Sequence, residues 1–502
     1  MIKYPIGLQD FRTLRADGYA YVDKTEQIHR LIATGKYYFL SRPRRFGKSL
    51  TVSTLHELFT GNRTPFAGLW VETRWDWARK YPVLWFRFGS SGFRTGGLES
   101  ALHRLVDQEA ERLGISLRET LFEQKFRELI RRAMETTGER VVLLIDEYDK
   151  PIVDYLEDLK KAEANRALLK SFYSVLKDSD PYLSFVFITG VSAFSKVSLF
   201  SDFNHMTNLT LSDEAADLVG ITEAELDELI ERDGRDFDRA LVRRWYNGYS
   251  WDGQTRVYNP FSLLSYLKGQ QLLNYWFGTG TPTFLIQEMK KRQYYHPQRV
   301  VATQQQLTRF NLEQLDPVAV LFQTGYLTVR ERDIDRDYVL DYPNLEVEHA
   351  LEELLLEEYL NHPFLGAADL KKGMATAVRT NDLDRVRATL DACFAEIPYE
   401  HGTKQDEHFV HAIIHLIFSL LGVYVTSKVH TANGRCDARV QTDTHIYVFE
   451  FKIDQTARRA LNQIKRKGYF DGFSADERTK IGIGASSSTE EKRITDWKTR
   501  SF

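Results

Sequence analysis

A Gly-Lys-Ser triplet at Gly47–Ser49 follows the short apolar run Tyr37–Leu40. In a loop of this type, consecutive backbone N–H groups surround phosphate oxygens, and the loop leads into a helix whose dipole favours negative charge. Lys48 is expected to reach the outer phosphates of a nucleotide, and the Ser49 hydroxyl is expected to contact Mg²⁺. The stretch therefore predicts a phosphate-binding loop between a buried strand and a helix.

The loop departs from the usual GxxxxGK[ST] pattern, because Arg42 stands where that pattern has its first glycine. A glycine at this point allows a tight turn with permissive dihedral angles. An arginine must either form a different turn or bring its own charge near the phosphates. Taken alone, the triplet also fits a strand followed by a basic helix start.

A second apolar run, Val141–Glu147 (VVLLIDE), is typical of a buried strand that stops at two carboxylates. We expect this strand to lie beside the strand of the phosphate loop. There Asp146 would hold the Mg²⁺ ion, and Glu147 would polarise the attacking water as general base. A third run, Leu183–Thr189, ends on a hydroxyl, so Thr189 is either a γ-phosphate sensor next to the acid strand or a strand cap.

Strands alternate with helices through this part of the chain, which predicts a parallel sheet covered by helices. A strand is expected at Pro82–Phe88, and helices are expected at Leu50–Phe59, Leu98–Leu113, Leu117–Thr136 and Glu163–Lys177. The segment Ile6–Ile32 is either an adenine-side lead-in or a simple N-terminal helix and turn.

The middle of the chain changes character. Asp213–Gln287 is helical and aromatic, with a turn at Asp252–Gly253, and indicates a helical lid. Leu315–Tyr359 has the order helix, strand, turn, strand, helix, which is the outline of a winged helix. Such a domain either binds DNA or only packs on the nucleotide-binding core.

A second set of candidate residues lies near the C-terminus. Gly434–Asp437 is expected to open a strand, and Ile446–Lys452 to form the next one, with Glu450 and Lys452 on one face. A hairpin between them brings Asp437 beside Glu450. Two carboxylates there can hold Mg²⁺, and the lysine can orient or deprotonate water for phosphodiester cleavage. The alternative is an amphipathic strand with a surface salt pair.

Composition narrows the function classes. The 502 residues, 43% of them hydrophobic, suit about three globular domains, and the net charge of −3 gives no overall field that attracts nucleic acid. Nucleic acid would therefore contact local basic clusters, such as the helix predicted at Ala457–Tyr469. Two cysteines and an N-terminus unlike a signal peptide indicate a cytoplasmic protein. The longest apolar run, Phe409–Val425, carries histidines and is typical of a buried amphipathic helix, so no membrane partner is expected.

Ten short stretches together carry a family resemblance. They are YVDKT (Tyr21–Thr25), RPRRFGKSL (Arg42–Leu50), LIDEYDKP (Leu144–Pro151), ITGVSAFSKVSLFS (Ile188–Ser201), WYNGY (Trp245–Tyr249), YNPFS (Tyr258–Ser262), GTGTPTFL (Gly278–Leu285), GYLT (Gly325–Thr328), GRCD (Gly434–Asp437) and EFK (Glu450–Lys452). The chain resembles prokaryotic proteins that pair an AAA-ATPase-like domain with a C-terminal PD-(D/E)XK nuclease-superfamily domain. The resemblance implies that Arg42 is this family's normal variant of the phosphate loop. Two departures are Ala193, where a basic residue is expected, and Ser427–Lys428, where the family tends to carry an acid.

Motifs and resemblance predict an α/β fold: a P-loop NTPase parallel sheet with a helical lid and a winged-helix-like segment, followed by a small α/β restriction-endonuclease-like domain. The predicted domains are an AAA-like ATPase core (1–212), a helical lid (213–300), a winged-helix-like and helical connector (301–395) and a nuclease-like domain (396–502).

The predicted function is binding and hydrolysis of ATP, with Mg²⁺, by a protein whose nucleotide state regulates a metal-dependent nuclease-like domain acting on nucleic acid, with DNA favoured over RNA. The alternative is an ATP-dependent switch or scaffold with a degenerate, non-cleaving domain, and a homo-oligomer or a protein partner fits either. The predicted catalytic residues are Glu147, Asp437, Glu450 and Lys452, and the predicted metal ligands are Ser49, Asp146, Asp437 and Glu450. The predicted nucleotide-binding residues are Arg44, Arg45, Phe46, Gly47, Lys48, Ser49, Leu50, Asp146 and Thr189.

Overall fold

The computed structural model describes residues 2–192, 206–276, 285–286, 289, 297, 299–308, 315–333, 337–360, 367–395, 413–418, 426–428, 437–488, 491 and 493–502. The chain divides into two compact units. The N-terminal unit comprises Met1–Leu285 and Pro297–Glu348, and the C-terminal unit comprises Ile286–His296 and His349–Phe502. The division into four domains stays a prediction.

The N-terminal unit is built on a parallel five-stranded sheet. Its strands are β1 (Tyr37–Ser41), β2 (Val83–Arg87), β3 (Val141–Asp146), β4 (Leu183–Gly190) and β5 (Thr207–Asn208), in the order β2-β3-β4-β1-β5. The prediction that the acid strand β3 lies beside β1 is wrong, because β4 lies between them. Thr189, at the end of β4, is next to β3 as expected.

Apolar runs place the central strands of this sheet. Every residue of β3 is buried, as expected for a strand covered on both faces. The surrounding helices are Phe11–Ala16, Thr25–Thr34, Lys48–Phe59, Phe93–Gly96, Leu98–Arg112, Phe122–Thr137, Lys150–Val153 and Leu159–Asp178. Helix Phe122–Thr137 begins later than the predicted start at Leu117. The buried Glu128 carboxylate accepts hydrogen bonds from the backbone N–H groups of Arg118 and Glu119 and holds these residues in a loop.

The segment predicted to form a lid contributes to an apolar core that also includes Tyr4 and Ala20. Helices Glu223–Asp233, Arg239–Tyr246 and Pro260–Gly269 accompany the short strands β6 (Asn247–Tyr249) and β7 (Val257–Tyr258). Leu226, Val242, Tyr246, Leu263 and Leu267 are among the buried side chains of that core. The predicted turn at Asp252 is present, with its carboxylate accepting backbone hydrogen bonds from Gln254 and Thr255.

A second, antiparallel sheet follows the lid. Its strands β8 (Val300–Ala302), β9 (Thr328–Arg332) and β10 (Tyr338–Asp341) have the order β8-β10-β9, and helices Gln304–Leu307, Pro317–Thr324 and Leu345–Leu360 flank them. The predicted order of helix, hairpin and helix is present. Gly325 packs on the phosphate loop, since a Cβ added to it would lie 2.7 Å from Cβ of Pro43. This contact joins the end of helix Pro317–Thr324, directly before the hairpin, to the phosphate loop, and both alternatives for the hairpin stay predictions.

The C-terminal unit contains a mixed five-stranded sheet in the order β11-β12-β13-β14-β15. The strands are β11 (Thr426–Lys428), β12 (Ala438–Gln441), β13 (His445–Ile453), β14 (Thr479–Ser488) and β15 (Arg493–Ser501). Only the β13–β14 pair is parallel among the pairs described. Helices Ala367–Arg379, Leu383–Ala395 and Ala457–Arg466 belong to this unit, and the last of them packs Leu461 and Ile464 on Ile446 and Val448 of β13.

Both parts of the predicted fold are confirmed: a parallel P-loop-like α/β sheet with helices, and a small mixed-sheet domain at the C-terminus. None of the described helices has the length and apolarity needed to span a bilayer.

Candidate functional site

The phosphate loop runs from the end of β1 into helix Lys48–Phe59. Gly47 adopts φ 96°, and Arg45 adopts φ 70°. The left-handed region is favourable for glycine, and a side chain at position 47 would be strained. The loop thus places the N-terminus of the helix at the exit of a buried strand, which is the arrangement that binds phosphate.

Arg42 resolves the departure from the usual loop pattern. Its guanidinium is fully buried and donates hydrogen bonds to the carbonyl oxygens of Ser41, Thr210 and Ala215 at 2.8–2.9 Å. It also lies 3.9 Å above the ring of Trp251. Burial lowers the pKa of Arg42 to about 9. Of the two alternatives, the structure has the different turn, with the arginine charge directed at backbone carbonyls rather than along the loop.

Lys48 is folded back onto its own loop. Its Nζ atom donates to the carbonyl oxygens of Arg42 and Pro43, both at 2.8 Å. Burial lowers the pKa of Lys48 to about 8, against the opposing effect of the charges of Asp146 and neighbouring acids. A lysine held in this way must exchange its carbonyl partners for phosphate oxygens when it binds a nucleotide.

The acids at the end of β3 have different surroundings. Asp146 is buried and accepts a 2.6 Å hydrogen bond from the Thr189 hydroxyl. Glu147 adopts φ 55°, and its pKa is raised by burial and by the charge of Asp146. A Cβ on Gly89 would overlap the Glu147 carboxylate, so this glycine makes room for the candidate base. Asp146 and Thr189 therefore form one hydrogen-bonded pair beside a separately positioned glutamate.

Asp149 was missed from the sequence. It is buried, and its carboxylate accepts hydrogen bonds from the backbone N–H groups of Val191 and Ser192 and from the Ser192 hydroxyl. Burial raises its pKa. A Cβ on Gly190 would lie 2.5 Å from the Tyr148 ring, so the chain leaving β4 packs directly on the residues that follow β3. Asp149 thereby holds the end of β4, and with it Thr189, against the acid strand. Asp149 lies within the stretch LIDEYDKP, but no role was predicted for this residue from the sequence.

Two spaces that share lining residues border the phosphate loop. A cleft of about 350 Å³ is lined by Arg44, Arg45, Gly47, Lys48, Ser49, Leu50, Glu147 and Lys150, among others. A mainly apolar cavity of about 90 Å³ adjoins it and is lined by Tyr21, Val22, Phe46, Ile221 and Leu229, among others. Gly47 and Leu50 line both spaces. A polar cleft beside an apolar cavity suits the phosphate groups and the base of one nucleotide. Asp146 and Thr189 line neither space.

Ser49 and Asp146 are the candidate ligands for Mg²⁺ in this unit. Ser49 lines the cleft, whereas Asp146 is engaged with Thr189. A hydroxyl and a carboxylate are oxygen donors of the kind that Mg²⁺ prefers, beside the phosphate oxygens of a nucleotide. By donor chemistry the two residues fit the ion, and of the two only Ser49 lines the cleft.

In the C-terminal unit, strand register brings the second set of residues together. Ala438 pairs with Phe449, which places Asp437 opposite Glu450, and the Asp437 carboxylate accepts a 2.6 Å hydrogen bond from the backbone N–H of Phe451. Lys452 Nζ donates to Glu450 Oε1 at 3.1 Å, so the two share a face as predicted. The predicted strand begins at Ala438, and residues 434–436 lie outside the described part of the chain.

Glu450 is 2% exposed, and burial together with the charge of Asp437 raises its pKa to about 7. Its Oε2 atom has no hydrogen-bond partner among the described residues. A buried oxygen without a donor is costly, and a divalent cation held between Glu450 and Asp437 would satisfy it. The two carboxylates therefore fit Mg²⁺, although no group of three or more potential ligands occurs in the described ranges.

Gln463, which the sequence places among the side chains of the predicted basic helix that could reach phosphates, instead contacts the acid pair. Its side-chain amide donates to Glu450 Oε1 from helix Ala457–Arg466. The helix after the EFK motif was predicted, but its sequence does not show that the Gln463 amide contacts the Glu450 carboxylate. Backbone pairing also places Lys428 opposite Arg439, which locates the departure at Ser427–Lys428 on the strand next to β12.

The fold and its sites define a P-loop-type α/β protein that also contains a mixed-sheet domain with an acid pair and a lysine. A family model described as a predicted AAA-ATPase matches residues 5–200, and a model of the PD-(D/E)XK nuclease superfamily matches residues 405–497. The chain is 41% identical over 488 residues to an uncharacterized protein in the vnfD 5' region of Azotobacter chroococcum mcd 1, with 94% of each chain covered. It belongs to a family that joins a predicted AAA-ATPase domain to a C-terminal PD-(D/E)XK nuclease-superfamily domain, as the resemblance predicted.

Proposed function

We propose that the N-terminal unit binds and hydrolyses ATP and that its nucleotide state controls a metal-dependent nuclease in the C-terminal unit. The observation that carries the first part is that a cleft lined with charged side chains and an apolar cavity share Gly47 and Leu50 as lining residues. The phosphates would lie along the loop and the helix N-terminus, and the adenine would enter the cavity beside Tyr21 and Val22.

In this cleft the chain's own groups have separate tasks. Lys48 binds the outer phosphates, and Ser49 and Asp146 would hold Mg²⁺, which when bound neutralises phosphate charge. Glu147 accepts the proton of the attacking water, a task that suits a carboxylate whose pKa is raised by burial. Thr189 reports the state of the phosphates through its hydrogen bond to Asp146.

In the C-terminal unit, Asp437 and Glu450 would hold Mg²⁺, which activates water and stabilises charge on a phosphodiester. Lys452 lies on the same strand face and orients the water or the scissile phosphate. Basic side chains of helix Ala457–Arg466 lead the nucleic-acid backbone to this face, DNA being the expected substrate.

The second candidate function is an ATP-dependent switch or scaffold whose nuclease-like domain does not cut. One observation favours it: Lys452 and Gln463 both donate to Glu450 Oε1, so that oxygen is already occupied. A lysine that pairs with the acid can take the place of the metal.

The deciding experiment measures cleavage of single- and double-stranded DNA and of RNA, with Mg²⁺ or Mn²⁺, with and without ATP. It compares wild type with Glu450→Ala and Lys48→Ala, and with the matched surface variants Glu477→Ala and Lys170→Ala. We expect cleavage that is lost in Glu450→Ala and that no longer responds to ATP in Lys48→Ala.

The other outcomes discriminate the candidates. ATP hydrolysis without cleavage of any substrate would replace the nuclease with the switch. A wild-type chain that neither binds nor hydrolyses ATP would remove the nucleotide proposal altogether.

A further inference from the structure

A separate cleft of about 560 Å³ lies in the N-terminal unit, between the lid hairpin and the antiparallel sheet. Its walls come from the end of helix Arg239–Tyr246, strand β6, strands β9 and β10 and the start of helix Leu345–Leu360. Four arginines line it: Arg243, Arg244, Arg256 and Arg330. We call it the arginine cleft. It takes no part in the nucleotide or nuclease sites described above.

Most of the positive charge in the arginine cleft is not neutralised by ion pairs. Arg243 pairs with Glu223 at 2.7 Å. The Arg256 guanidinium instead donates to carbonyl oxygens, including that of Val329 at 2.7 Å, and Arg330 donates to the carbonyl oxygen of Tyr342 at 2.5 Å. Within the described ranges, neither of these two arginines nor Arg244 forms a salt bridge with a carboxylate.

Two arginines in this cleft repel each other. Burial and the nearby charge of Arg330 together lower the pKa of Arg256. Two acids also line the cleft, but burial raises the pKa of Asp341, and burial with the charge of Asp341 raises that of Glu348 to about 7. The charges of Arg330 and, for Glu348, of Arg244 act in the opposite direction and lower these pKa values, so the two acids offset part of the arginine charge. An anion in the cleft would relieve the repulsion that remains.

The walls of the cleft are closely packed. Gly248 adopts φ 131°, and a Cβ there would overlap the carbonyl oxygen of Pro343 and lie 3.5 Å from an Arg330 nitrogen. Asn247 and Asn344, on the two sides of this contact, are 8% and 6% exposed. The arginines are therefore presented by a fixed backbone rather than by a loose surface.

We propose that the arginine cleft is a second anion site, which binds the phosphate groups of a ligand other than the nucleotide in the phosphate-loop cleft. The planar guanidinium group matches phosphate oxygens with two parallel hydrogen bonds, and Arg244 is exposed and placed to make them. The phosphate groups come either from a small phosphorylated ligand or from a nucleic-acid backbone.

The site has a direct physical connection to the phosphate loop. Asn247 and Gly248 of β6 line the arginine cleft, while the next residue, Tyr249, packs on Phe46 of the loop with 4.7 Å between ring centroids. A ligand in the arginine cleft would therefore contact β6, the same strand that packs on the phosphate loop.

Inorganic pyrophosphate is the probe, titrated calorimetrically into the full-length chain carrying Lys48→Ala, so that the phosphate-loop lysine cannot account for binding. We expect saturable binding that Arg244→Ala weakens about tenfold or more, since a hydrogen bond to a charged group contributes roughly that factor. Arg232→Ala, an exposed arginine of the neighbouring lid helix outside the cleft, should leave the affinity unchanged. Wild type saturated with ADP and Mg²⁺ gives an independent repeat in which the loop is intact.

No saturable binding in the Lys48→Ala chain, or equal affinities in the Arg244→Ala and Arg232→Ala variants, would overturn the proposal. Competition identifies the source of the phosphate. Displacement of pyrophosphate by an oligothymidylate supports a nucleic-acid backbone as the ligand. Retention of pyrophosphate at saturating oligothymidylate supports a small phosphorylated ligand.

Discussion

The two candidate sites differ in how completely their buried charged groups are hydrogen-bonded. In the N-terminal unit, Lys48 has two carbonyl partners, Asp146 has Thr189, and Asp149 has the backbone and hydroxyl of Ser192. In the C-terminal unit, Glu450 receives two donors on Oε1 and none, among the described residues, on Oε2.

This difference indicates what each site needs from its ligand. A nucleotide must displace internal hydrogen bonds of Lys48 and replace them with better ones to phosphate, so binding reorganises the loop. A buried acceptor without a donor costs about 1–3 kcal/mol. A cation bound to Oε2 would recover that cost without breaking the hydrogen bonds that Oε1 accepts, so the proposed metal would need no rearrangement of Glu450.

The strongest test of this comparison is at Asp437. Asp437→Asn keeps an oxygen that accepts from the backbone N–H of Phe451, whereas Asp437→Ala removes it. We expect both variants to lose nuclease activity to the limit of detection, because a two-carboxylate clamp needs both charges. Circular dichroism should show Asp437→Asn folded like wild type. Cleavage by Asp437→Asn at the wild-type rate would place the metal elsewhere.

A smaller effect is expected at Glu147, the candidate general base of the N-terminal unit. Glu147→Gln should hydrolyse ATP about a hundredfold more slowly, since a positioned base commonly contributes about that factor. ATP affinity should stay close to that of wild type, because the phosphate loop is unchanged. Single-turnover hydrolysis and equilibrium binding separate these quantities, with the exposed Glu157→Gln as control. Undiminished turnover would assign the base to another residue.

A variant of Gln463 tests whether the hydrogen bond that positions the Glu450 carboxylate is needed for cleavage. Gln463→Ala removes one donor to Glu450 Oε1 and should lower cleavage about tenfold, as expected for a hydrogen bond to a charged group. Asn462→Ala, at the neighbouring exposed position of the same helix, is the matched control. The metal concentration that gives half-maximal cleavage should change with Gln463 and not with Asn462. Equal dependence on metal in the two variants would show that Gln463 does not position the acid.

The smallest effect is a pH dependence of nucleotide binding. Burial lowers the pKa of Lys48 to about 8, and only the protonated amine attracts phosphate. ATP affinity should therefore fall about tenfold or less between pH 7 and pH 9. In Lys48→Arg the side chain stays charged across this range. The ATP affinity of this variant, whatever its level, should therefore change little between pH 7 and pH 9. Parallel profiles for wild type and Lys48→Arg would mean that Lys48 does not titrate there.

Local patterns were sufficient for much of this protein. The apolar run before Gly47–Ser49 and the run VVLLIDE predicted two buried strands, because continuous apolar residues of this length need burial on both faces. The spacing of Asp437 and Glu450 predicted their opposition, because a hairpin with period-two side chains leaves few registers open. These features depend on residues close together in the chain.

Tertiary structure decided the features that depend on distant residues. The insertion of β4 between β1 and β3 cannot be read from either strand, since strand order is set by how whole strand–helix units pack. The guanidinium of Arg42 finds a carbonyl 168 residues away at Thr210, and Asp149 holds a backbone more than 40 residues further on. The sequence alone determined which chemical groups are available. Long-range packing determined the hydrogen-bond partner of each buried charged group, because a buried polar group pairs with whatever donor or acceptor the fold brings within hydrogen-bond distance.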